Sequence, residues 1–310
     1  MAACSDPASP PPGPDPATPP VSSLAQLGRF IFEDAALSIG RNQSCASCHA
    51  AEWGFRGSSA SQQGGVMAGS VADRFGSRTA LSAAYATLSP VFHFSPEANG
   101  YIGGNFWDGR ATGLHLGDPA AEQAQGPFLN PVEQALPDAA CVVYRVSVSP
   151  YADRYVAEWG DDIRSIAFPG NADALCATEG AELPLTAEDR ARAVAEYERI
   201  ARSISAFEAS PLVNAFTSKF DAWLAGAAQL TLQEQMGFML FQGRARCDVC
   251  HKLVGARPLF TDFSYHNLGT PRNPDNPAYA NPEFVDLGLG GDGGAVPGIT
   301  QWGLVRTPTL

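Results

Sequence analysis

Two copies of one pentapeptide pattern constrain this chain most. They are Cys45-Ala46-Ser47-Cys48-His49 and Cys247-Asp248-Val249-Cys250-His251. On one helical turn, thiols three residues apart can reach the two vinyl groups of a porphyrin. The histidine that follows then lies under the iron as proximal ligand. The two copies use four of the seven cysteines and two of the five histidines. A redox dithiol or half of a zinc site is the rival reading of each copy alone. Repetition favours two covalently bound c-type haems.

At 310 residues the chain has the length of two domains. A net charge of −12 without a basic cluster argues against nucleic acid. It permits, without requiring, steering of a basic protein partner. No stretch has the apolar length of a membrane span. Residues 1–23 are proline-rich and lack apolar periodicity, and they read as a disordered or extended linker. Within them, Cys4 after Ala2-Ala3 is similar to a bacterial lipoprotein junction, which makes it a candidate lipid anchor. The alternative is a free cysteine in a tail. Cys141 and Cys176 either pair across a loop-rich segment in an oxidising compartment or are two unrelated buried thiols. Covalent c-type haem is attached outside the bacterial cytoplasm, so a periplasmic or cell-surface location is expected.

Apolar periodicity predicts a short helix through Leu24, Leu27, Phe30 and Ile31, leading to the first motif. The stretch from His49 to about Gly104 reads as loops. Pro127 and Pro131 are expected to forbid a continuous helix over 123–133. A Thr186-x-x-Asp189 cap opens a helix with Val194, Tyr197, Ala201, Ile204 and Phe207 on one face. Ser210-Pro211 is read as the start of another, carrying Phe216, Phe220, Trp223 and Leu224. A Thr231–Glu234 capping box opens a third, stopped by Gly243 just before the second motif. The expected fold is mainly α, with two cytochrome c-like haem domains and long loops. They divide near 180–186, giving residues 24–184 and 185–310. The second domain, mostly loop after His251, reads as incomplete.

The motifs together resemble the bacterial dihaem cytochrome c peroxidase superfamily, including its methylamine-utilisation branch, which oxidises tryptophans in a partner protein. The marks are Leu27-Gly28-Arg29-Phe30-Ile31-Phe32, the two haem motifs, Phe106-Trp107-Asp108-Gly109-Arg110 and Gly126-Pro127 with Asn130-Pro131-Val132-Glu133. Further marks are Phe241-x-Gly243, Phe260-Thr261-Asp262 with His266-Asn267, and Arg306-Thr307-Pro308-Thr309-Leu310. The resemblance implies a peroxide-reacting haem on His49 and an electron-receiving haem on His251. It places Trp107 between the haems, and Gln123, Pro127 and Glu133 in the distal pocket. A carboxylate beside an open iron site can move the proton that peroxide reduction requires, so Glu133 is the candidate acid–base. His266 is implied close to the second haem. A calcium ion between the domains is also implied, with Thr79 standing where the family has asparagine, and with Thr307 and Pro308 nearby.

The chain departs from many family peroxidases in one respect: no histidine lies between His49 and His93. An open, five-coordinate haem at His49 is therefore expected, with Met67, His93 and His115 as the substitutes weighed for a blocking ligand. Around His115-Leu116-Gly117-Asp118-Pro119 the chain is longer than is usual in the family. Three functions follow in order: reduction of hydrogen peroxide with electrons from a small cytochrome c or cupredoxin, oxidation of tryptophan or tyrosine on a partner protein, and dihaem electron carriage. Family members are often homodimers.

Overall fold

A computed structural model describes residues 21–57, 62–291, 294–296 and 303–309. Cys4 and most of the proline-rich segment lie outside the described residues.

The first half is built on two helices. Helix α1 (Ser23–Glu33) starts where Ser22 Oγ accepts from Ala25 N. Its buried residues Leu27, Gly28, Ile31 and Phe32 recur at helical spacing and face one way. They lie against α8 (Ala187–Glu208), which is capped by Thr186 and about 33 Å long. The approach is close: a Cβ on Gly28 would stand 1.8 Å from the Ser203 carbonyl oxygen. Between them in sequence come α2 (Cys45–Cys48), α3 (Pro119–Leu129), α4 (Ala139–Ser147), α5 (Ala152–Trp159), α6 (Asp162–Ser165) and α7 (Ala172–Cys176). Helices α3 and α4 also pack on α8. A Cys141–Cys176 disulfide ties α4 to α7, which settles the pairing question. Nearby, the buried Arg145 donates to the carbonyls of Ala36, Ser38 and Cys176, fixing the loop after α1.

Two expectations need correction, and the expected break over 123–133 holds, at Asn130 rather than at Pro127. The boundary near 180–186 would give α8 to the second half. Instead its residues from Ala193 to Phe207 share one core with Leu27, Phe128 and Val143, and that core runs on to Val213. Helix α3 continues through Pro127 and stops before Pro131. Its ring costs one bond to the Gln123 carbonyl, but Pro119 and the Asp118 cap open the helix well, and the Tyr197 hydroxyl donates to the Gln125 carbonyl. Ser210-Pro211 opens a turn rather than a helix. The following helix, α9 (Lys219–Leu224), begins at a Ser218–Asp221 capping box, just beyond Phe216 at a positive φ of 48°.

Helix α10 (Leu232–Gln242) follows its Thr231 capping box as expected and ends at Gly243. It has no buried residue. Its neighbours are aromatic: Phe220, Trp223 and Phe238 form a cluster that Phe260 and Phe241 extend.

Strands are few and short. Among the described residues they form three antiparallel pairs: β1 (Gln62–Gln63) with β2 (Val66–Met67), β3 (His93–Ser95) with β4 (Gly100–Ile102), and β5 (Tyr265–His266) with β6 (Val305–Arg306). Only the last pair joins distant parts of the chain. Phe92, Tyr265 and Leu289 form a second, smaller core, and the Tyr265 hydroxyl donates to the Gly103 carbonyl at 2.6 Å. No described helix is long and apolar enough to cross a membrane.

Candidate haem sites

Each motif forms one tight turn, and each ends in the same arrangement. In the first, α2 carries Cys45 and Cys48, and His49 caps it by donating its peptide N–H to the Cys45 carbonyl at 2.8 Å. In the second, Cys247–Val249 is a single 3-10 turn, and His251 N donates to the Cys247 carbonyl at 3.0 Å. His49 Nδ1 lies 3.0 Å from the Phe55 carbonyl oxygen, and His251 Nδ1 lies 2.7 Å from that of Phe260. A carbonyl only accepts, so Nδ1 carries the proton and Nε2 keeps its lone pair for a metal. Both phenylalanines sit at positive φ, 57° and 53°, which turns their carbonyls toward the imidazoles. Burial pushes the His49 imidazole toward neutrality, opposed by the neighbouring Phe55 and Leu81 carbonyls.

All four motif cysteines are unpaired. Burial raises both first-motif thiols, with Cys48 reaching about 12. Beside His49 and Cys48 opens a cavity with about 1330 Å³ of empty space, open solvent at its mouth included. Two free thiols, a following histidine engaged through Nδ1, and a large adjoining space suit a covalently attached haem. Among the described residues, no grouping of three potential metal ligands includes a first-motif cysteine, whereas Cys250 of the second motif stands with Asp262 and His266.

The cavity brings most of the expected site residues together. His49, Met67, Thr79, Trp107, Gln123, Pro127, Glu133 and Pro308 all line it. The Glu133 carboxylate accepts from the Asn130 side-chain amide. Desolvation raises its pKa, and Arg110 with the Asn130 bond pulls it partly back. The Trp107 indole N–H donates to the Thr79 carbonyl at 2.8 Å. Thr79 Oγ1 donates to the Gly65 carbonyl, and the Thr307 carbonyl accepts from the Thr261 hydroxyl. Neither remaining histidine of the first half borders the cavity. His93 is exposed against the Val91 carbonyl, and His115 is exposed against Glu198. His266 sits with Cys250, bonded to Ser264 and Asp262.

Two ionisable lining residues were given no role by motif reading. Glu208 is 4% exposed, and burial, then Asp118, push its pKa to about 8. Its signal was available: it stands one turn after Ile204 on the apolar face of α8. The other is Arg306, 6% exposed, whose peptide N–H donates to the Trp107 carbonyl. Arg78, also on the cavity wall, is bonded to both Asp108 and Asp286.

A mostly helical fold with two such motifs defines a dihaem c-type cytochrome. Residues 22–229 match the family described as di-haem cytochrome c peroxidase, and the chain belongs to that family. It is 33% identical over 306 residues to methylamine utilization protein MauG of Paracoccus denitrificans, covering 95% of this chain and 69% of that protein. It is 26% identical over 270 residues to cytochrome c551 peroxidase of Nitrosomonas europaea, covering 84% and 60%. Among solved structures it is similar to the diheme peroxidase BthA of Burkholderia thailandensis. That match has a TM-score of 0.76 at 29% identity over 94% of this chain and 66% of that one. The chain thus spans about two thirds, or less, of the length of these relatives.

Proposed function

We propose that the chain reduces hydrogen peroxide to water, with electrons from a small redox protein received at the His251 haem and passed by Trp107 to the His49 site. The observation that carries this reading is that His49, Gln123, Glu133 and Trp107 face one cavity. The haem would supply an iron that binds peroxide and delivers electrons to it. The chain's own groups manage the protons. Each peroxide takes two electrons and two protons to become two waters, and one of its own protons must move between its oxygens. Glu133, raised by burial yet restrained by Arg110 and Asn130, is suited to take and return that proton. Gln123 offers a neutral amide to orient the bound oxygen. The Cys141–Cys176 disulfide fits an oxidising compartment, in keeping with a location outside the cytoplasm. A calcium ion would draw on oxygens of Thr79, Thr307 and Pro308, and Thr79 and Pro308 border the same cavity.

The test is steady-state peroxide consumption with a reduced small cytochrome, comparing wild type with Glu133→Gln. Turnover is expected to fall by roughly 10²-fold or more. Equal turnover in both would remove Glu133 from the proton path. No turnover in either, with two haems per chain, would favour the second reading, oxidation of a partner protein's aromatic residue. The similarity to methylamine utilization protein MauG supports that alternative, as does the lack of a histidine between His49 and His93.

A further inference from the structure

The guanidinium of Arg306 is buried beside the cavity with too few partners. One Nη donates to Asn105 Oδ1 at 2.5 Å, and the group lies 5.4 Å from the centre of the Phe263 ring. Its Nε is buried with no acceptor. No described carboxylate pairs with it. Two neighbouring acids are engaged elsewhere: Asp286 is held by Arg78, and Asp108 is shared by Arg78 and Arg110.

Leaving a buried cation uncompensated costs several kcal/mol. A neutral amide and an aromatic face offset only part of that cost. Arginine presents a planar fork of donors matched to a carboxylate. Arg306 also lines the cavity that His49 and Cys48 border, and its backbone is fixed to Trp107 and, through β6, to Tyr265. The fork is thus held rigidly where an anion could meet it.

We propose that Arg306 is the receptor for a porphyrin propionate, the carboxylate arm of the haem that occupies this cavity. The assignment rests on the haem reading above, which a pyridine haemochrome count of two haems per chain checks separately. Removing a positive charge near an iron favours its oxidised form. In the holoprotein, Arg306→Gln is therefore expected to lower the midpoint potential of one haem and shift its propionate bending band in resonance Raman spectra. Arg306→Lys, which keeps the charge, is expected to retain most of the wild-type potential. Should the glutamine variant fail to load both haems, Asn105→Asp serves instead. It gives Arg306 an internal carboxylate and is expected to move the same Raman band. An unchanged band and unchanged potentials in a fully loaded variant would overturn the proposal. So would a saturable spectral response of the wild type to added acetate that Arg306→Gln abolishes, since the anion would then be a free carboxylate rather than the porphyrin's own.

Discussion

The Glu133 carboxylate accepts a hydrogen bond from the Asn130 side-chain amide at 2.7 Å. That bond favours the charged form, against a burial that favours the neutral one. Asn130→Ala is expected to raise the Glu133 pKa further. The limb of the turnover–pH profile that reports this group should move to higher pH. Profiles of kcat for the two proteins check it. A superimposable pair would place the controlling ionisation elsewhere.

Glu208 makes folding pH-dependent in the opposite sense to a salt-bridged acid. Its pKa is raised from 4.5 to about 8, so the native state holds a proton that the unfolded chain has released. Its contribution is fully present below about 4.5 and is lost as pH rises through about 8. Thermal unfolding across that window should show wild type losing stability relative to Glu208→Gln. Parallel curves for the two would mean that the carboxyl is solvated or paired.

Gly28 tests the contact between α1 and α8. Alanine is intrinsically the better helix residue by about 1 kcal/mol, yet its methyl would collide with the Ser203 carbonyl at 1.8 Å. The collision should dominate, giving a net loss of roughly 1–3 kcal/mol for Gly28→Ala in denaturant unfolding. A gain would show that the helices can part at no cost.

The Cys141–Cys176 bridge closes a span of 35 residues between two buried sulfurs. On the loop-entropy argument, the double substitution to alanine should cost about 3–4 kcal/mol. Guanidinium midpoints for wild type and the double variant measure it. Equal midpoints would mean that the bridge does not form in the protein.

Local signals in the sequence translated well into local structure. Threonine caps with an acid three residues on placed the starts of α8 and α10, and the haem motifs marked the two turns and their histidines. Pairing across distance was harder to read. The apolar face of α8 is plain in the sequence, but nothing in it says whether that face meets α1 before it or α10 after it, and so the boundary fell on the wrong side. Of the two prolines that rule out a continuous helix over 123–133, Pro127 is tolerated inside α3: the bond it removes is a local loss, while the Phe128 side chain beside it is buried in the main core. Thr79, Trp107, Gln123 and Glu133 could be gathered into one site only through family motifs. Arg306 was visible as part of a motif, but its lack of a counter-ion exists only in three dimensions.

The matching carbonyl clamps on His49 and His251 have a consequence for how the two irons come to differ. Each imidazole is oriented by a left-handed phenylalanine a few residues downstream, so the near side of each metal is built to one plan. The contrast between a site of chemistry and a conduit for charge must then come from elsewhere, and in the first half Glu133 and Gln123 are the groups able to supply it. Exchanging the two pentapeptides should leave each iron with the behaviour of its location rather than that of its transplanted ligand.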